Sequence, residues 1–330
     1  MKVLIVGDHK TGSGPAVVTG RYIGLLGEKA FCLKSSAKPL RALELFCKLP
    51  FASVVLCSGY SAQNILAAKG AHVFRKKCAY LMHGSVDHEN EINLCPDPKM
   101  TRVEYETMRH CDRIFAVSGR FAAWLGKRYP EFSDKIEAQT NGIDQAVPDG
   151  QGIARKPGML LTVGGGMPRK RINRICEAVS SLKKKEGFQD LCLTVIGAKG
   201  AFSDAIDRYD FVRDLGVVDQ TETARLFREA SLFIQNSCFE TFGLAPMEAL
   251  AAGCDLLLSE EIGALELFDE KKLPADYLIK DCENSKEIAE KIEKAAGSGN
   301  AALFGAALYG EITWKDRTDQ LMKKLENLSI

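Results

Sequence analysis

Several things are missing from this 330-residue chain, and each absence removes a class of function. Its eleven cysteines show no Cys-x-x-Cys and no Cys/His ligand spacing. That points to free thiols in a reducing cytoplasm rather than to disulfides or zinc. No Asp-x-Asp occurs, so no carboxylate pair stands ready to hold Mg²⁺ against a diphosphate, and no required metal or other cofactor is expected. No apolar run approaches the roughly 18–20 residues that span a bilayer. The opening MKVLIVGDHK meets Asp8 almost at once and reads as a first strand rather than a signal peptide. Aromatic residues interleave the basic positions too sparsely for a nucleic-acid stacking surface. No Ser/His/Asp or Cys/His constellation offers a side-chain nucleophile. The third glycine of a dinucleotide fingerprint is absent from both glycine-rich turns, which argues against an NAD enzyme.

What is there is an ordinary globular composition, 46% hydrophobic and 26% charged. The length favours two domains. The net charge of +1 conceals an asymmetry. Residues 1–86 carry twelve Lys/Arg against three Asp/Glu, whereas residues 151–330 carry 24 against 28. A basic first segment suits an anionic membrane surface or a phosphate-bearing substrate.

Apolar runs alternate with helical periodicity, the pattern of a parallel α/β sheet. Strands are expected at Lys2–Gly7, Ala30–Leu33, Ser53–Ser58, Cys78–His83 and Arg113–Ser118, then at Met159–Gly164, Cys192–Gly197, Leu232–Gln235 and Asp255–Ser259. Helices are expected at Gly14–Leu26, Ser61–Lys69, Asp97–His110 and Gly119–Arg128. Each half opens on a buried strand and a glycine-rich turn, LIVGDHKTGSGPAVV and LLTVGGGMPRKRINRI. Between them NGIDQAVPDGQGIARKPG reads as a linker. The domains expected are therefore 1–150 and 151–310, with a helix in 311–330 that packs back across their interface. Two doubly wound sheets facing one another leave a crevice at the carboxyl ends of their strands. The segment PLRALELFCKLPF at 39–51 reads equally as an interfacial amphipathic helix or as a sheet-covering helix with a basic outer face.

The stretch CFETFGLAPMEALAAG, residues 238–253, places Glu240 and Glu248 on either side of a Phe-Gly-Leu turn. Pro246 suits a first helical position, Glu248 the first turn and Gly253 the stop. Free N–H groups and the helix dipole at Phe242-Gly243-Leu244 would favour an anion such as a diphosphate. Carboxylates flanking it would repel phosphate but accept sugar hydroxyls, Glu240 from a hexose and Glu248 from a ribose. The plainer alternative is a solvated Glu240 and a helix-capping Glu248. In the second glycine loop, Gly164-Gly165-Gly166 permits close backbone approach. Arg169, Lys170 and Arg171 follow where a helix begins, and could neutralise a departing diphosphate or simply form a solvated basic turn.

With these residues in view, the chain resembles the retaining glycosyltransferases of family 4, which have the GT-B fold. The resemblance is carried by Glu240-TFGLAPM-Glu248 with its lead-in at Ser237–Leu244, and by the glycine loop with Lys170. Asn141–Asp144 (NGID), Ala116–Ser118 (AVS) and Tyr80–Gly84 (YLMHG) add to it, in family order. It implies two Rossmann-like domains facing a central cleft, and a hexose moved from a nucleotide-diphosphate sugar, UDP being the usual base. The acceptor would be a saccharide or lipid-linked saccharide in bacterial surface-polysaccharide synthesis, reached from the cytoplasm or the inner face of the membrane. Glu240 and the Phe242–Leu244 backbone would hold the sugar, and Glu248 the ribose. Lys170, helped by Arg169, would bind the diphosphate together with the loop at Gly164 and Gly165. Gly12 and Gly14 would face the phosphates, and His83 would lie near the transferred sugar and the acceptor hydroxyl. Alternatively, His83 is a hydrogen-bonded core histidine at a strand end. One departure stands out: the family's arginine after the first glycine of this loop is Gly165 here. It motivates a second reading, an inactive homologue that binds nucleotide sugar or stabilises another transferase.

Overall fold

The computed structural model describes residues 1–35, 37–144, 155–307 and 312–329. Two compact units emerge. The first comprises Met1–Asn90, Pro96–Gly142 and Glu311–Ile330; the second comprises Glu91–Cys95 and Ile143–Gly310. The expected linker lies largely in residues 145–154, and the expected boundaries at 150 and 310 fall outside the described residues.

In the first unit β1 (Val3–Gly7), β2 (Ala30–Cys32), β3 (Val54–Ser58), β4 (Lys77–Met82), β5 (Arg113–Ala116) and β6 (Ile136–Ala138) form one parallel sheet ordered β2-β1-β3-β4-β5-β6. Its middle strands are runs such as VLIVG and VVLCS, buried along their whole length. That continuous apolar pattern is what a sheet covered on both faces demands. The covering helices are α1 (Gly14–Leu26), α2 (Lys38–Lys48), α3 (Gln63–Val73), α5 (Pro98–His110) and α6 (Gly119–Arg128), while α4 (Val86–Ile92) buries no residue and runs into the Glu91–Cys95 stretch of the second unit. Several start where side chains supply acceptors for orphan amides. Asp97 accepts from the N–H groups of Lys99 and Met100, at 2.9 and 3.1 Å, and Ser118 accepts from Phe121 N–H at 3.0 Å.

The second sheet consists of β7 (Lys156–Val163), β8 (Cys192–Ile196), β9 (Val212–Asp214), β10 (Ala230–Gln235), β11 (Asp255–Ser259) and β12 (Leu278–Ile279), ordered β12-β11-β10-β7-β8-β9 and parallel throughout. Around it lie α7 (Ile172–Leu182), α8 (Ser203–Asp207), α9 (Gln220–Glu229), α10 (Leu244–Ala251), α11 (Ser285–Ala295) and α12 (Asn300–Ala307). The inward faces of α7 (Ile172, Ile175, Val179, Leu182) and α11 (Ile288, Ile292) close one side of its core.

The last helix, α13 (Trp314–Ser329), joins the first unit. Trp314 meets the buried Tyr22 edge-on at 6.0 Å, and Gln139 donates to the Arg317 carbonyl at 2.8 Å. All eleven cysteines are free thiols. Among the described residues no helix is long and apolar enough to cross a membrane.

Boundaries shift from the sequence expectation in instructive places. The helix expected at Ser61–Lys69 runs Gln63–Val73, and β7 begins at Lys156 rather than Met159. α10 begins at Leu244, two residues before the start assigned to Pro246. Pro246 therefore sits third in the helix, where its missing N–H still costs nothing, because first-turn amides have no intrahelical partner. Glu248 accordingly lies in the second turn, not the first. The stop at Gly253 holds, with φ +71° just beyond the helix end.

Candidate active site

Strand order places the chemistry of the second unit. β7 leads outward to β8 and β9, while β10, its other neighbour, leads the opposite way to β11 and β12. Ligands of open α/β sheets bind outside the carboxyl ends of strands at such a reversal. The loops leaving β7 and β10 are residues 164–171 and 236–243. Motifs some seventy residues apart in sequence thereby come together.

At their meeting point Glu240 Oε2 is surrounded by donors. Lys170 Nζ forms a close ion pair with it, and Arg169 Nη1 donates to it at 3.3 Å. Gln235 Nε2 and Ser237 Oγ each donate at 3.4 Å. The carboxylate is largely buried, and desolvation pushes its pKa up. The Lys170 ammonium and Arg169 guanidinium outweigh that and hold it at about 2. Glu240 is thus an anion at any physiological pH. Its backbone is fixed as well, since its carbonyl accepts from Gly263 N–H at 3.0 Å.

Three residues on, Gly243 (φ +98°) caps α10. Among the described residues the N–H groups of Gly243 and Leu244 make no hydrogen bond. They are the amides that a helix start leaves for an anion. Glu248 stands exposed on the second turn of the same helix. Glu240, Lys170, Arg169 and the 242–244 turn are therefore one cluster, with Glu248 one turn away from it.

The glycine loop is shaped differently from the open cradle its composition suggests. Gly164 and Gly165 N–H both donate to Ile196 O, at 2.8 and 3.1 Å, and Gly166 N–H donates to Ala198 O at 3.0 Å. These amides serve the neighbouring loop. Gly165 has φ +55°, and a Cβ there would lie 2.1 Å from Ala198 O. No side chain fits without moving backbone, so the tight 164–166 turn and an arginine at 165 are mutually exclusive. The Lys170 stem crosses directly over Gly164. Of the three basic residues that follow, Arg169 and Lys170 turn to Glu240, whereas Arg171 pairs with Glu283.

The first unit has its own constellation at strand ends. His83, half-buried just after β4, shares a hydrogen bond of 3.0 Å with Ser58 Oγ at the end of β3. Ser58 in turn lies 2.7 Å from Thr19 Oγ1 on α1. Desolvation pushes the His83 imidazole down to about 4, so it is neutral at pH 7. A Cβ on Gly59 would lie 3.5 Å from Pro15, which follows Gly14, and 3.7 Å from His83. The start of α1 and His83 therefore adjoin one another. Gly12 is exposed, in a loop that Asp8 shapes by accepting from Lys10 N–H at 3.0 Å. Glu104 of α5, itself buried, accepts from Val86 N–H and Ser85 Oγ and so pins the turn that follows His83.

Gln235 and Asn236 escaped the sequence reading. Gln235 donates to both Ser237 Oγ (2.7 Å) and Glu240, and Asn236 Nδ2 donates to Cys282 O at 2.8 Å. The available signal was two amides closing an otherwise apolar strand, ASLFIQN. Cys57, Cys78 and Cys111 also converge, their sulfurs within 4.8 Å of one another in the core of the first unit. Spacing could not reveal this, because the three come from successive parts of the sheet. The Sγ separations of 3.7 and 3.8 Å are those of hydrogen-bonded thiols packed in an apolar interior.

Residues 144–301 match the family described as Glycosyl transferases group 1. The chain is 26% identical over 233 residues to the D-inositol 3-phosphate glycosyltransferase of Pseudarthrobacter chlorophenolicus, covering 64% of this chain and 55% of that protein. It is 25% identical over 170 residues to the O-antigen chain mannosyltransferase B of Escherichia coli, covering 49% and 44% respectively. These matches span about half the length of either relative. Anabaena HepE, solved in complex with UDP and glucose, superposes with a TM-score of 0.71 at 14% identity, covering 99% of this chain and all of that one. The likeness at that identity concerns the fold, and with the two parallel six-stranded sheets it makes this chain an α/β protein of the GT-B class with two Rossmann-like units. The segment that matches the glycosyl transferases group 1 family is the one that carries Glu240, Lys170, Arg169 and the start of α10.

Proposed function

We propose that the chain is a retaining, metal-independent hexosyltransferase of glycosyltransferase family 4. It would use a nucleotide-diphosphate sugar, UDP-linked by preference, and a saccharide or lipid-linked saccharide acceptor. The observation that carries this reading is one cluster: a buried anionic Glu240 held by Lys170 and Arg169, beside a helix start whose first amides are unused. Acceptor carboxylate, paired cations and amide donors are what a sugar joined to a diphosphate requires. The names of the relatives, one acting on an inositol phosphate and one on O antigen, support glycosyl transfer and a role in surface-polysaccharide assembly.

In this reading the anomeric carbon–oxygen bond to the diphosphate breaks as the acceptor oxygen attacks from the same face. The acceptor's proton passes to the departing phosphate oxygen. No side chain need be a nucleophile. Lys170 and Arg169 stabilise charge building on the leaving group, Glu240 orients the hexose through its hydroxyls, and Glu248 accepts from the ribose. Glu240 needs its cations in the resting chain as well, because an unpaired carboxylate so deeply buried would be strongly disfavoured. His83, a neutral imidazole, is suited to accept a hydrogen bond from a hydroxyl on the acceptor side. The missing loop arginine does not leave the cluster without charge, since two cations already converge on Glu240. That favours an active enzyme over an inactive partner.

Calorimetric titration of UDP, GDP and their sugars into wild type and Glu248→Ala tests the reading. Selective binding that weakens at least tenfold in the variant is expected from loss of the ribose contact. Absence of nucleotide binding in the wild type would overturn it and turn attention to a protein partner.

A further inference from the structure

α2 is amphipathic in the wrong sense for a helix that merely covers a sheet. Its inward positions are Leu45 and, just beyond its end, Leu49, both fully buried. Its outward side is apolar too: Leu40 is 60% exposed, Leu43 63%, and Phe51, in the turn that follows, 75%, with Phe46 and Cys47 also exposed. At 100° per residue these positions fall in one stripe along the helix. A surface helix ordinarily presents charge there. The stripe extends onto α3. Gly70 abuts Phe46 and Leu49, and Val73, one turn further along the same face, is 76% exposed.

The charges left unpaired around this apolar area are of one sign. Lys34, Lys38, Lys69 and Arg75 are exposed, and among the described residues none of their side chains forms an ion pair. The one acidic side chain on α2, Glu44, is consumed locally. It accepts from the N–H groups of Lys34 and Ser35 and from Lys48 Nζ at 2.6 Å. Arg41 is likewise turned inward, to Gln63, Ser35 O and Gly7 O. What faces solvent is thus leucine and phenylalanine bordered by unpaired ammonium and guanidinium groups.

We infer that the outer face of α2, with the 49–51 turn and the end of α3, docks on an anionic phospholipid surface. Leu40, Leu43, Phe46 and Phe51 would enter the headgroup–acyl boundary while Lys34, Lys38, Lys69 and Arg75 meet lipid phosphates. Apolar insertion plus attraction to anionic lipid is how an interfacial helix holds to a membrane, and neither part alone suffices. A second copy of the chain fits less well, since two such faces brought together would oppose their own cations. The docking face deepens the transferase reading on its acceptor side, favouring a lipid-linked acceptor. Docking on lipid needs no nucleotide, so vesicle binding by the donor-free chain separates failure of this face from failure of the transferase reading.

The experiment is flotation of the full chain with phosphatidylcholine vesicles, with and without phosphatidylglycerol. Binding is expected only to the anionic vesicles, weakening as salt screens the basic border. Leu43→Asp should lower partitioning about tenfold or more, the loss expected when one buried leucine is removed from an apolar phase. Lys38→Glu with Lys69→Glu should remove the dependence on anionic lipid. All these positions are exposed, so unchanged thermal unfolding and unchanged UDP binding should accompany the loss. Phe51→Trp should show a blue-shifted emission on anionic vesicles, reporting insertion directly. No flotation of the wild type overturns the inference. So does flotation that Leu43→Asp leaves intact, or a concentration-dependent dimer that Leu43→Asp abolishes in the absence of lipid.

Discussion

Lys170 neutralises a buried carboxylate in the resting chain, and under the proposed function it would also neutralise a leaving phosphate. Lys170→Ala should therefore separate the two. Turnover should fall about a hundredfold or more, as for loss of a preorganised charge at a leaving group, while donor affinity changes less than tenfold. Single-turnover kinetics beside calorimetry checks this, and equal losses in both would mean that Lys170 contributes ground-state binding only. Stability carries a second signature. Glu240 titrates at about 2 in the fold against 4.5 for the ordinary side chain. The unfolded chain thus binds the extra proton between those values, so this stability is present above pH 4.5 and is lost as pH falls toward 2. With Lys170 removed the folded-state pKa of Glu240 should rise, so this pH-dependent contribution should shrink, seen as a shallower acid limb between pH 4.5 and 2 in denaturation profiles. Gly165 makes the opposite point. Restoring the family's arginine there should not restore anything: φ +55° and the Ala198 carbonyl lie in its way. Gly165→Arg should lower stability by about 1–3 kcal/mol and impair donor binding. Improved binding with unchanged melting would show that the loop readily opens.

Among the elements, the turn between β4 and α4 has the most testable electrostatics. Burial pushes Glu104 of α5 up to about 7, against the pull of its bonds from Val86 N–H and Ser85 Oγ, with Asp87 and Glu89 adding repulsion. A raised carboxyl reverses the sign found for Glu240. Between 4.5 and 7 the folded chain holds a proton that the unfolded chain has released, so this stability is complete below pH 4.5 and is lost as pH rises through 7. The loss amounts to about 3 kcal/mol for a shift of this size. Glu104→Gln keeps an acceptor for Val86 N–H and cannot ionise. His83, held at about 4, adds stability as pH rises toward 6.5 in both proteins, so the titration of Glu104 shows in the difference. The melting temperature of the wild type relative to Glu104→Gln should fall as pH rises from 5 to 8, and a constant difference would place the titration elsewhere. Much at this scale was legible in the sequence. Strands such as VLIVG and VVLCS announce themselves because burial on both faces leaves no polar position, and α1 and α6 fall at their expected limits. Pro246 misled because proline is tolerated throughout a first turn, not only at its first residue. Of the edge strands, β2 was expected at Ala30–Leu33 and runs Ala30–Cys32, whereas β6, β9 and β12 are three residues or fewer and carry too little pattern to read. The direction of Arg171 was equally illegible, since it follows from a left-handed backbone at that residue (φ +48°).

At the scale of the whole molecule, the motif residues divide between two units, and strand order rather than sequence proximity assembles each set. Glu240 could be matched to Lys170 from a family pattern, but their contact depends on β7 and β10 lying side by side in the sheet. The convergence of Cys57, Cys78 and Cys111 depends in the same way on the neighbouring of β3, β4 and β5. Both tryptophans, Trp124 and Trp314, belong to the first unit, and the second has none. Tryptophan emission therefore follows one unit alone, while far-ultraviolet circular dichroism follows both. If the nucleotide sits at the β7–β10 reversal, UDP at a hundred times its dissociation constant stabilises the second unit by about 2.7 kcal/mol. For a unit of that size this raises its melting temperature by roughly 5–10 °C. The expected result is a dichroism transition that moves upward with UDP while the tryptophan transition stays where it was. A shift confined to tryptophan emission would move the nucleotide to the first unit, and no shift at all would remove it from the molecule. Equal shifts in both signals would show that the two sheets unfold as one cooperative body despite their separate cores.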